Sequence, residues 1–402
     1  MNYLKPLGLL ISLVCFSFKP ADPPTKSTLA IHEKAITIDT HCDTPMKFTH
    51  SAFDIGREHP ASEGRVDIPK MEQGGLDAIF FALFTSQRDR TEANYQRAYE
   101  LSHLMIDSVN KALDRYSHKA QLATSANDVA KLSEAGKRAI YLGMENGFPL
   151  AKDINRVEEF YKRGVRYITL AHTSNNDLCD SSTDKKGPEH NGLSAFGKEV
   201  VSEMNRLGML IDVSHISDKA FYDVLDHTTA PVIASHSSAR AVCDHPRNMS
   251  DSMIQALAKN GGVIQICILG AYIQPEDTTS MNYLKKQALR AKYHNFDYKN
   301  DAERKQAWAE WHQINKDYPP HLPTVADAVD HIDHVVKLVG IDYVGIGSDF
   351  DGGGALTDCQ NVSQFPNITQ ELINRGYSNE EIEKIWGGNF LRVFKQVEAT
   401  AL

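Results

Sequence analysis

Short apolar runs rich in β-branched residues recur along the chain, and most of them are followed by stretches with helical periodicity. Runs that are apolar on both faces are typical of parallel sheets, because helices cover both sides of such a sheet. Other patterns between the runs predict helices, among them residues 94–113, 195–208 and 325–340. Eight runs are predicted as strands: residues 35–41, 76–84, 138–145, 166–172, 208–215, 230–236, 261–268 and 342–349.

The alternation of strands and helices indicates the fold class. Eight strand–helix units suit an α/β fold of the (β/α)8 type, the TIM barrel, in which helices surround a closed parallel sheet. A doubly wound open sheet is the alternative. It is disfavoured because no glycine-rich dinucleotide-binding fingerprint follows the first predicted strand.

The longest interval between predicted strands, residues 269–323, is charged and contains several aromatic residues. A structureless loop of this length is unusual in a compact domain, so we expect a helical insertion over the barrel mouth. A disordered linker between two domains is the alternative, but Trp308 and Trp311 are uncommon linker residues. The sequence therefore predicts a single (β/α)8 domain over residues 25–402, with this insertion.

The N-terminus resembles a secretion signal. Residues 7–18 form an apolar run that follows a lysine and is too short to cross a bilayer, so residues 1–20 are predicted as a signal peptide. Cleavage is expected near residues 19–24. Cys15 offers the alternative of a lipidated N-terminus, although residues 12–14 lack the small side chains of such a processing site. We therefore expect an exported protein of the periplasm or cell envelope, with no integral membrane span in the mature chain.

Composition and charge limit the classes of partner that the protein is expected to bind. The chain has 402 residues, of which 42% are hydrophobic and 24% charged, as in ordinary globular proteins. The net charge of −9 and the lack of a basic cluster argue against nucleic acid as a partner. Six cysteines, widely spaced, argue against a dense disulfide framework but leave one bridge open.

Candidate chemistry stands at the ends of six of the eight predicted strands. In a barrel these ends meet on one face, where active sites are built. Each residue alone has an ordinary structural explanation, such as a buried core histidine or an aspartate that starts a turn. Their coincidence at the same end of separate strands favours a site made of His41 and Asp43, Glu145, His172, His215, His236 and Asp349.

The residue types indicate a metal site. Imidazole and carboxylate groups without a thiolate cluster favour zinc or another divalent first-row ion. The set exceeds what one tetrahedral ion needs. Two ions about 3.5–4 Å apart, bridged by a carboxylate and a hydroxide, would use all of these ligands.

Seven segments resemble the membrane dipeptidase (renal dipeptidase) family of zinc peptidases, which has an amidohydrolase-type barrel. They span residues 38 to 394 in the order of the family. Ala171 replaces the threonine that is more usual before the histidine of the third segment. The segments are IDTHCDTP (38–45), GMENG (143–147), LAHTSNND (170–177), DVSHIS (212–217), SHSSARAVCDHPRN (235–248), HIDHVVKLVGIDYVGIGSDFDG (331–352) and GGNFLRVF (387–394).

The resemblance implies a role for each candidate residue. It assigns His41 and Asp43 to a first zinc ion, and Glu145 to the bridge between the two ions. It assigns His215 and His236 to the second ion.

The remaining roles concern the substrate. Asp349, counted with the metal ligands, is implied as the proton shuttle, and His172 as the contact of the scissile carbonyl and its oxyanion. Arg247 is implied to bind the terminal carboxylate of the substrate, which its planar fork suits.

The predicted function is therefore that of an exported dipeptidase with two Zn²⁺ per chain. A hydroxide that bridges the ions, formed near neutral pH, attacks the peptide bond of a dipeptide. Asp349 carries the proton to the departing amine. The alternatives are a related metal amidohydrolase acting on N-acyl amino acids or lactones, and a non-catalytic envelope binding protein. The sequence leaves the oligomeric state open, a homodimer included.

Overall fold

The structure is a computed structural model that describes residues 24–50, 53–294 and 301–401. The predicted signal peptide and Cys15 lie outside the described residues.

Nine strands are present in the described ranges, and all of them pair in parallel. Eight of them correspond to the eight predicted strands. The bounds are β1 (Ile38–Cys42), β2 (Ala78–Phe84), β3 (Ala120–Leu122), β4 (Arg138–Glu145), β5 (Val165–Thr169), β6 (Leu210–Asp212), β7 (Ile233–Ser237), β8 (Val263–Ile266) and β9 (Val344–Ile346).

Helices follow most strands, as the alternating pattern predicts. Local sequence sets their ends: the side chain of Thr324 and that of Asp327 cap each other's backbone at the start of α13. The bounds are α1 (Lys26–Lys34), α2 (Pro45–His50), α3 (Ile68–Gln73), α4 (Glu92–Arg115), α5 (Asp128–Glu134), α6 (Asn155–Lys162), α7 (Ala195–Leu207), α8 (Asp218–His227), α9 (Asp251–Lys259), α10 (Gly270–Ile273), α11 (Met281–Lys292), α12 (Asp301–Asp317), α13 (Val325–Val339), α14 (Pro366–Asn374), α15 (Asn379–Glu383) and α16 (Asn389–Glu398).

The sheet is a nearly closed barrel. Its strand order is β1-β2-β4-β5-β6-β7-β8-β9, and β3 pairs with β4 outside this path. The first and last strands meet just beyond their ends, where Asp43 N donates to Phe350 O at 2.8 Å and Asp349 N donates to His41 O at 3.0 Å. The (β/α)8 prediction is confirmed, and the open-sheet alternative is wrong.

The two faces of most barrel strands enter two separate apolar clusters. On β2, Ile79, Phe81 and Leu83 belong to the larger cluster, while Phe80 belongs to the smaller one. The smaller cluster takes residues from seven of the barrel strands, so it fills the barrel interior. Helix α16 adds to it, with the ring centroid of Phe390 5.2 Å from that of Phe80.

Two features differ from the expectations or refine them. Strand β3 was not predicted, because three residues carry no recognisable period. Strands β5, β6 and β9 end three residues before His172, His215 and Asp349, so these candidate residues lie in the loops that follow.

The segment 269–323 contains the short helix α10 and the two longer helices α11 and α12. Its placement over the barrel mouth stays a prediction. The five cysteines in the described residues are all free and buried. Within the same ranges, the helices are too short or too polar to cross a bilayer.

Candidate metal centre

Glu145, the last residue of β4, lies at the centre of the site. Its Oε1 atom is 3.1 Å from His215 Nε2, 3.4 Å from His236 Nε2 and 3.6 Å from both His41 Nε2 and His172 Nε2. Four imidazoles from four strand ends therefore converge on one carboxylate oxygen. This is the meeting of strand ends that the barrel predicts.

The imidazole of His41 contacts a tyrosine of the barrel interior through the ring nitrogen that lies away from Glu145. Its Nδ1 atom lies 2.9 Å from the hydroxyl of Tyr167, which also donates to Thr40 O at 3.3 Å. The ring of Tyr167 occupies the space that a side chain at position 143 would fill, since a Cβ atom on Gly143 would lie 2.0 Å from that ring. The Nε2 atom of His41 is thus directed toward Glu145.

His236 has a different support. Its Nδ1 atom lies 2.8 Å from Ser235 Oγ, and that hydroxyl donates to Asp212 Oδ2 at 2.6 Å. Asp212 is fully buried and also accepts from Ser235 N at 2.8 Å. Outer partners of this kind fix the orientation and tautomer of a metal-binding histidine. His215 Nε2 lies 2.8 Å from His236 Nε2, so the two rings point to the same place.

Asp43 and Asp349 face each other across a glycine. A Cβ atom on Gly352 would lie 2.0 Å from Asp43 Oδ2 and 2.2 Å from Asp349 Oδ1. A side chain at this position would therefore displace one or both carboxylates. Asp349 also accepts a weak hydrogen bond from Cys267 Sγ at 3.8 Å.

Backbone strain is concentrated at the site. Seven non-glycine residues in the described ranges have a positive φ, and four of them lie at or beside the site: Asn146 (76°), His215 (72°), Asp349 (60°) and Asp351 (65°). The other three are Ala151, Asn191 and His294. Such conformations persist where the surrounding structure holds them, often at functional sites. The left-handed turns explain how His215 and Asp349 return toward the barrel axis after their strands have ended.

The pKa shifts of the buried carboxyl and imidazole groups are those expected of a site that binds cations. Burial raises the pKa of Glu145 to about 8 and that of Asp349 to about 7. Burial, aided by the charge of Glu145, raises the pKa of Asp43 well above its usual range. Burial also lowers the pKa of His215 and of His236 well below the usual range, so both rings are neutral and keep a free lone pair.

The residues fit metal ions. Two candidate ligand atoms are buried without a hydrogen-bond partner: His41 Nε2 and Asp43 Oδ1. Unpaired buried polar atoms are uncommon, and a bound ion is one of their ordinary explanations. In the described part of the chain, three groups bring ligand atoms within 4.8 Å of one another: His41, Glu145 and His236; Glu145, His172 and His215; His41, Asp43 and Asp349.

Arg247 borders this centre and is nearly completely buried, with 3% of its surface exposed. Its Nη2 donates to His236 O at 2.9 Å, whereas its Nε atom has no partner. The guanidinium lies 5.2 Å from the ring centre of Tyr272. Its charge acts on Glu145 and lowers the pKa of that carboxyl, in opposition to the larger effect of burial.

His172 is the most exposed of the candidate residues, with 20% of its side chain accessible. Its ring centroid lies 4.6 Å from that of Phe84 and 4.2 Å from that of His215. Burial and the charge of Arg247 lower the pKa of His172 to about 3. It is a neutral imidazole at the opening of the site.

All the candidate residues named from the sequence are brought together in this region. Sequence reasoning missed Tyr167, Ser235, Asp212, Gly352 and Tyr272. Tyr167 and Ser235 sit in apolar strand runs and gave no signal of their own. Gly352 lies within a quoted segment and Tyr272 within the interval 269–323, but only the folded structure shows what they touch.

The chain was compared with known families and structures. The family model described as membrane dipeptidase (peptidase family M19) matches residues 25–402. The chain belongs to this family. It is accordingly a hydrolase of the metallopeptidase class, as the resemblance implied.

Individual relatives agree with this assignment. Dipeptidase tcpJ of Claviceps purpurea is 34% identical over 84% of this chain and 70% of its own length. Human dipeptidase 3 is 32% identical over 94% of this chain and 69% of its own length. The crystal structure of the probable dipeptidase PvdM from Pseudomonas aeruginosa superposes with a TM-score of 0.82, at 31% identity, covering 94% of this chain and 98% of that one.

Proposed function

We propose that the chain is an exported dipeptidase that uses two zinc ions to hydrolyse the peptide bond of dipeptides. The observation that carries the proposal is the convergence of four histidine Nε2 atoms on Glu145 Oε1, all within 3.6 Å. Family membership and the dipeptidase names of the relatives support it. The signal-like sequence of residues 1–20 supports export.

The metal ligands divide around the central carboxylate. As the family resemblance implies, His41 and Asp43 would hold one ion, and His215 and His236, whose Nε2 atoms lie 2.8 Å apart, would hold the other. Glu145 lies between the two pairs and would be shared. When bound, the ions activate water near neutral pH and polarise the substrate carbonyl.

Two residues of the chain would act on the reacting atoms. Asp349 is buried beside Asp43, and its pKa, raised by burial to about 7, suits a group that accepts a proton and then returns it. His172 is neutral and stands at the opening, where its ring N–H can donate to the oxygen of the scissile carbonyl.

Arg247 would select short substrates. Its Nε donor is buried and has no partner, and Tyr272 packs on its face. A carboxylate placed there receives charge-assisted hydrogen bonds from the guanidinium. Because Arg247 Nη2 is bound to the carbonyl of His236, the carboxylate would lie within a dipeptide's length of the metal centre.

The decisive experiment combines metal analysis with a substrate panel. Purified mature protein is assayed with L,L and L,D dipeptides, dipeptide amides, N-acetyl amino acids and lactones. We expect about two zinc ions per chain and cleavage of free dipeptides. Blocking the terminal carboxylate, or the change Arg247→Ala, should lower kcat/KM by roughly ten- to hundred-fold, without additivity between them.

Other outcomes would redirect the proposal. Cleavage of N-acetyl amino acids or lactones in preference to dipeptides would make the chain a different amidohydrolase of the same fold. Binding without turnover in metal-loaded protein would favour an envelope binding protein. One ion or none in well-loaded protein would contradict the two-metal arrangement.

A further inference from the structure

A fully buried histidine, His331, lies on α13 outside the metal centre. None of its surface is exposed, and both of its ring nitrogens are used. Its Nδ1 atom accepts from Ala239 N at 3.0 Å, and its Nε2 atom lies 3.0 Å from Ile273 O. Because the first partner can only donate and the second can only accept, the ring is the neutral tautomer with its proton on Nε2.

Both partners are backbone atoms of segments that border the substrate side of the site. Ala239 lies at the base of the loop that carries Arg247. Two backbone hydrogen bonds close the loop there, from Arg240 N to Met249 O and from Met249 N to Ser238 O, each at 2.8 Å. Ile273 ends the short helix α10, next to Tyr272. The imidazole is thus a rigid spacer between the Arg247 loop and the Tyr272 helix.

A second side chain joins the same two segments. Asn248, buried and adjacent to Arg247, donates through Nδ2 to Cys243 O within the loop and to Tyr272 O on α10, both at 2.8 Å. Across this junction, the ring of His245 lies 4.7 Å from that of Tyr272. The separation of Arg247 and Tyr272 is therefore fixed by polar contacts at two points.

We propose that His331 is a positioning residue that sets the geometry of the substrate's carboxylate pocket. An apolar residue could fill the same volume, but only a side chain with one donor and one acceptor on opposite sides can join these two backbone groups. The ring touches none of the metal-ligand side chains in its hydrogen bonds. Its loss should therefore affect substrate binding more than the chemical step. This inference rests on the proposed function, in which Arg247 binds the carboxylate.

The test uses the full-length mature protein with its metal. In His331→Leu we expect KM for a free dipeptide to rise about tenfold, with kcat within about twofold and metal content unchanged. The preference for the free acid over the dipeptide amide should fall by about the same factor. His331→Asn, which keeps an acceptor near Ala239 N, should give a smaller rise in KM.

The control is His334→Ala on the same helix. His334 Nε2 lies 2.7 Å from Asp251 Oδ1, and neither partner belongs to the Arg247 loop or to α10. This variant should match the wild type in both kinetic constants. It separates a general effect of altering α13 from an effect on the pocket.

Hydrogen exchange gives a readout that does not depend on turnover. Peptides covering residues 239–249 and 270–274 should exchange faster in His331→Leu, while those covering β7 should not change. If the wild type cleaves no dipeptide, the proposed function fails, and this measurement alone decides whether His331 joins the two segments.

Two results would overturn the inference. One is a folded His331→Leu protein with wild-type KM, an unchanged preference for the free acid and unchanged exchange in both segments. The other is a fall in kcat at unchanged KM. Should His331→Leu not fold, the same comparisons made on His331→Asn decide the question, and an unchanged KM there overturns the inference.

Discussion

The glycine between the two aspartates permits a sharp test of how tightly the metal centre is built. Gly352→Ala adds a single methyl group to a residue whose φ lies outside the left-handed region, so the backbone itself tolerates alanine. The new Cβ atom would lie 2.0 Å from Asp43 Oδ2 and 2.2 Å from Asp349 Oδ1, against the 3.4–4 Å of ordinary contact. One or both carboxylates must therefore retreat by roughly 1 Å.

The size of the effect follows from the precision that a metal site needs. Ligand distances are held within about 0.2 Å, so a retreat of this size removes a carboxylate as a ligand. Misplacing a group by about 1 Å at a reacting centre costs roughly 10²-fold in rate. We expect Gly352→Ala to lose about that factor in kcat/KM and to bind less than two ions per chain.

The assay pairs steady-state hydrolysis of a free dipeptide with elemental analysis of dialysed protein. The control is Gly388→Ala in the π-helical turn Lys384–Gly388, where the nearest atom to the new Cβ is Glu383 O at 3.3 Å. It should retain activity and metal. A folded Gly352→Ala protein with wild-type kcat/KM and full metal content would refute the close approach of the two aspartates.

Three further predictions concern the same centre. Tyr167→Phe removes the hydroxyl 2.9 Å from His41 Nδ1 and should weaken metal binding by about ten- to hundred-fold, measured by competition with a chromophoric chelator. An unchanged metal affinity would contradict the role of Tyr167 in orienting His41. Asp349→Asn should keep metal but lower kcat by roughly 10²-fold or more, and near wild-type rates in metal-replete protein would remove Asp349 from the proton role. Metal stabilisation should grow between about pH 6.5 and 8.5, seen as a widening Tm gap between loaded and chelated protein. The pKa of Glu145 is raised from 4.5 to about 8, so its contribution to apo-protein stability is present below pH 4.5 and lost as pH rises through 8. The lowered pKa values of His215 and His236 leave their contribution fully present above about pH 6.5, so a constant Tm gap would contradict the assignment to Glu145.

The sequence predicted the barrel because its strands are covered on both faces. Residues 138–145 are apolar along almost their whole length and became β4 with the predicted bounds. Strands β5, β6, β8 and β9 were predicted too long at their C-terminal ends. At His215 and Asp349 the chain leaves the sheet through left-handed turns, and no apolar period marks that change.

The candidate ligands could be identified from the sequence because histidine and carboxylate side chains at strand ends have a chemistry that suits metal ions. The residues that orient these candidate ligands could not be predicted. Tyr167 reads as an ordinary strand residue, and its contact with His41 depends on the register of β5 relative to β1 across the barrel interior. His331 reads as one polar position on an amphipathic helix, and its two partners come from distant parts of the chain.

The seam where β1 meets the end of β9 has a consequence for how the protein matures. Its hydrogen bonds join Asp43 N to Phe350 O and Asp349 N to His41 O, so the barrel closes through the backbone of three candidate ligand residues. Ser348 and His41, also in contact there, are separated by 307 positions in sequence. Such a long-range pairing carries a high loop-closure entropy and forms late. A nascent chain therefore lacks the complete set of candidate ligands until nearly all of it is available, and the site is completed only when the last strand docks.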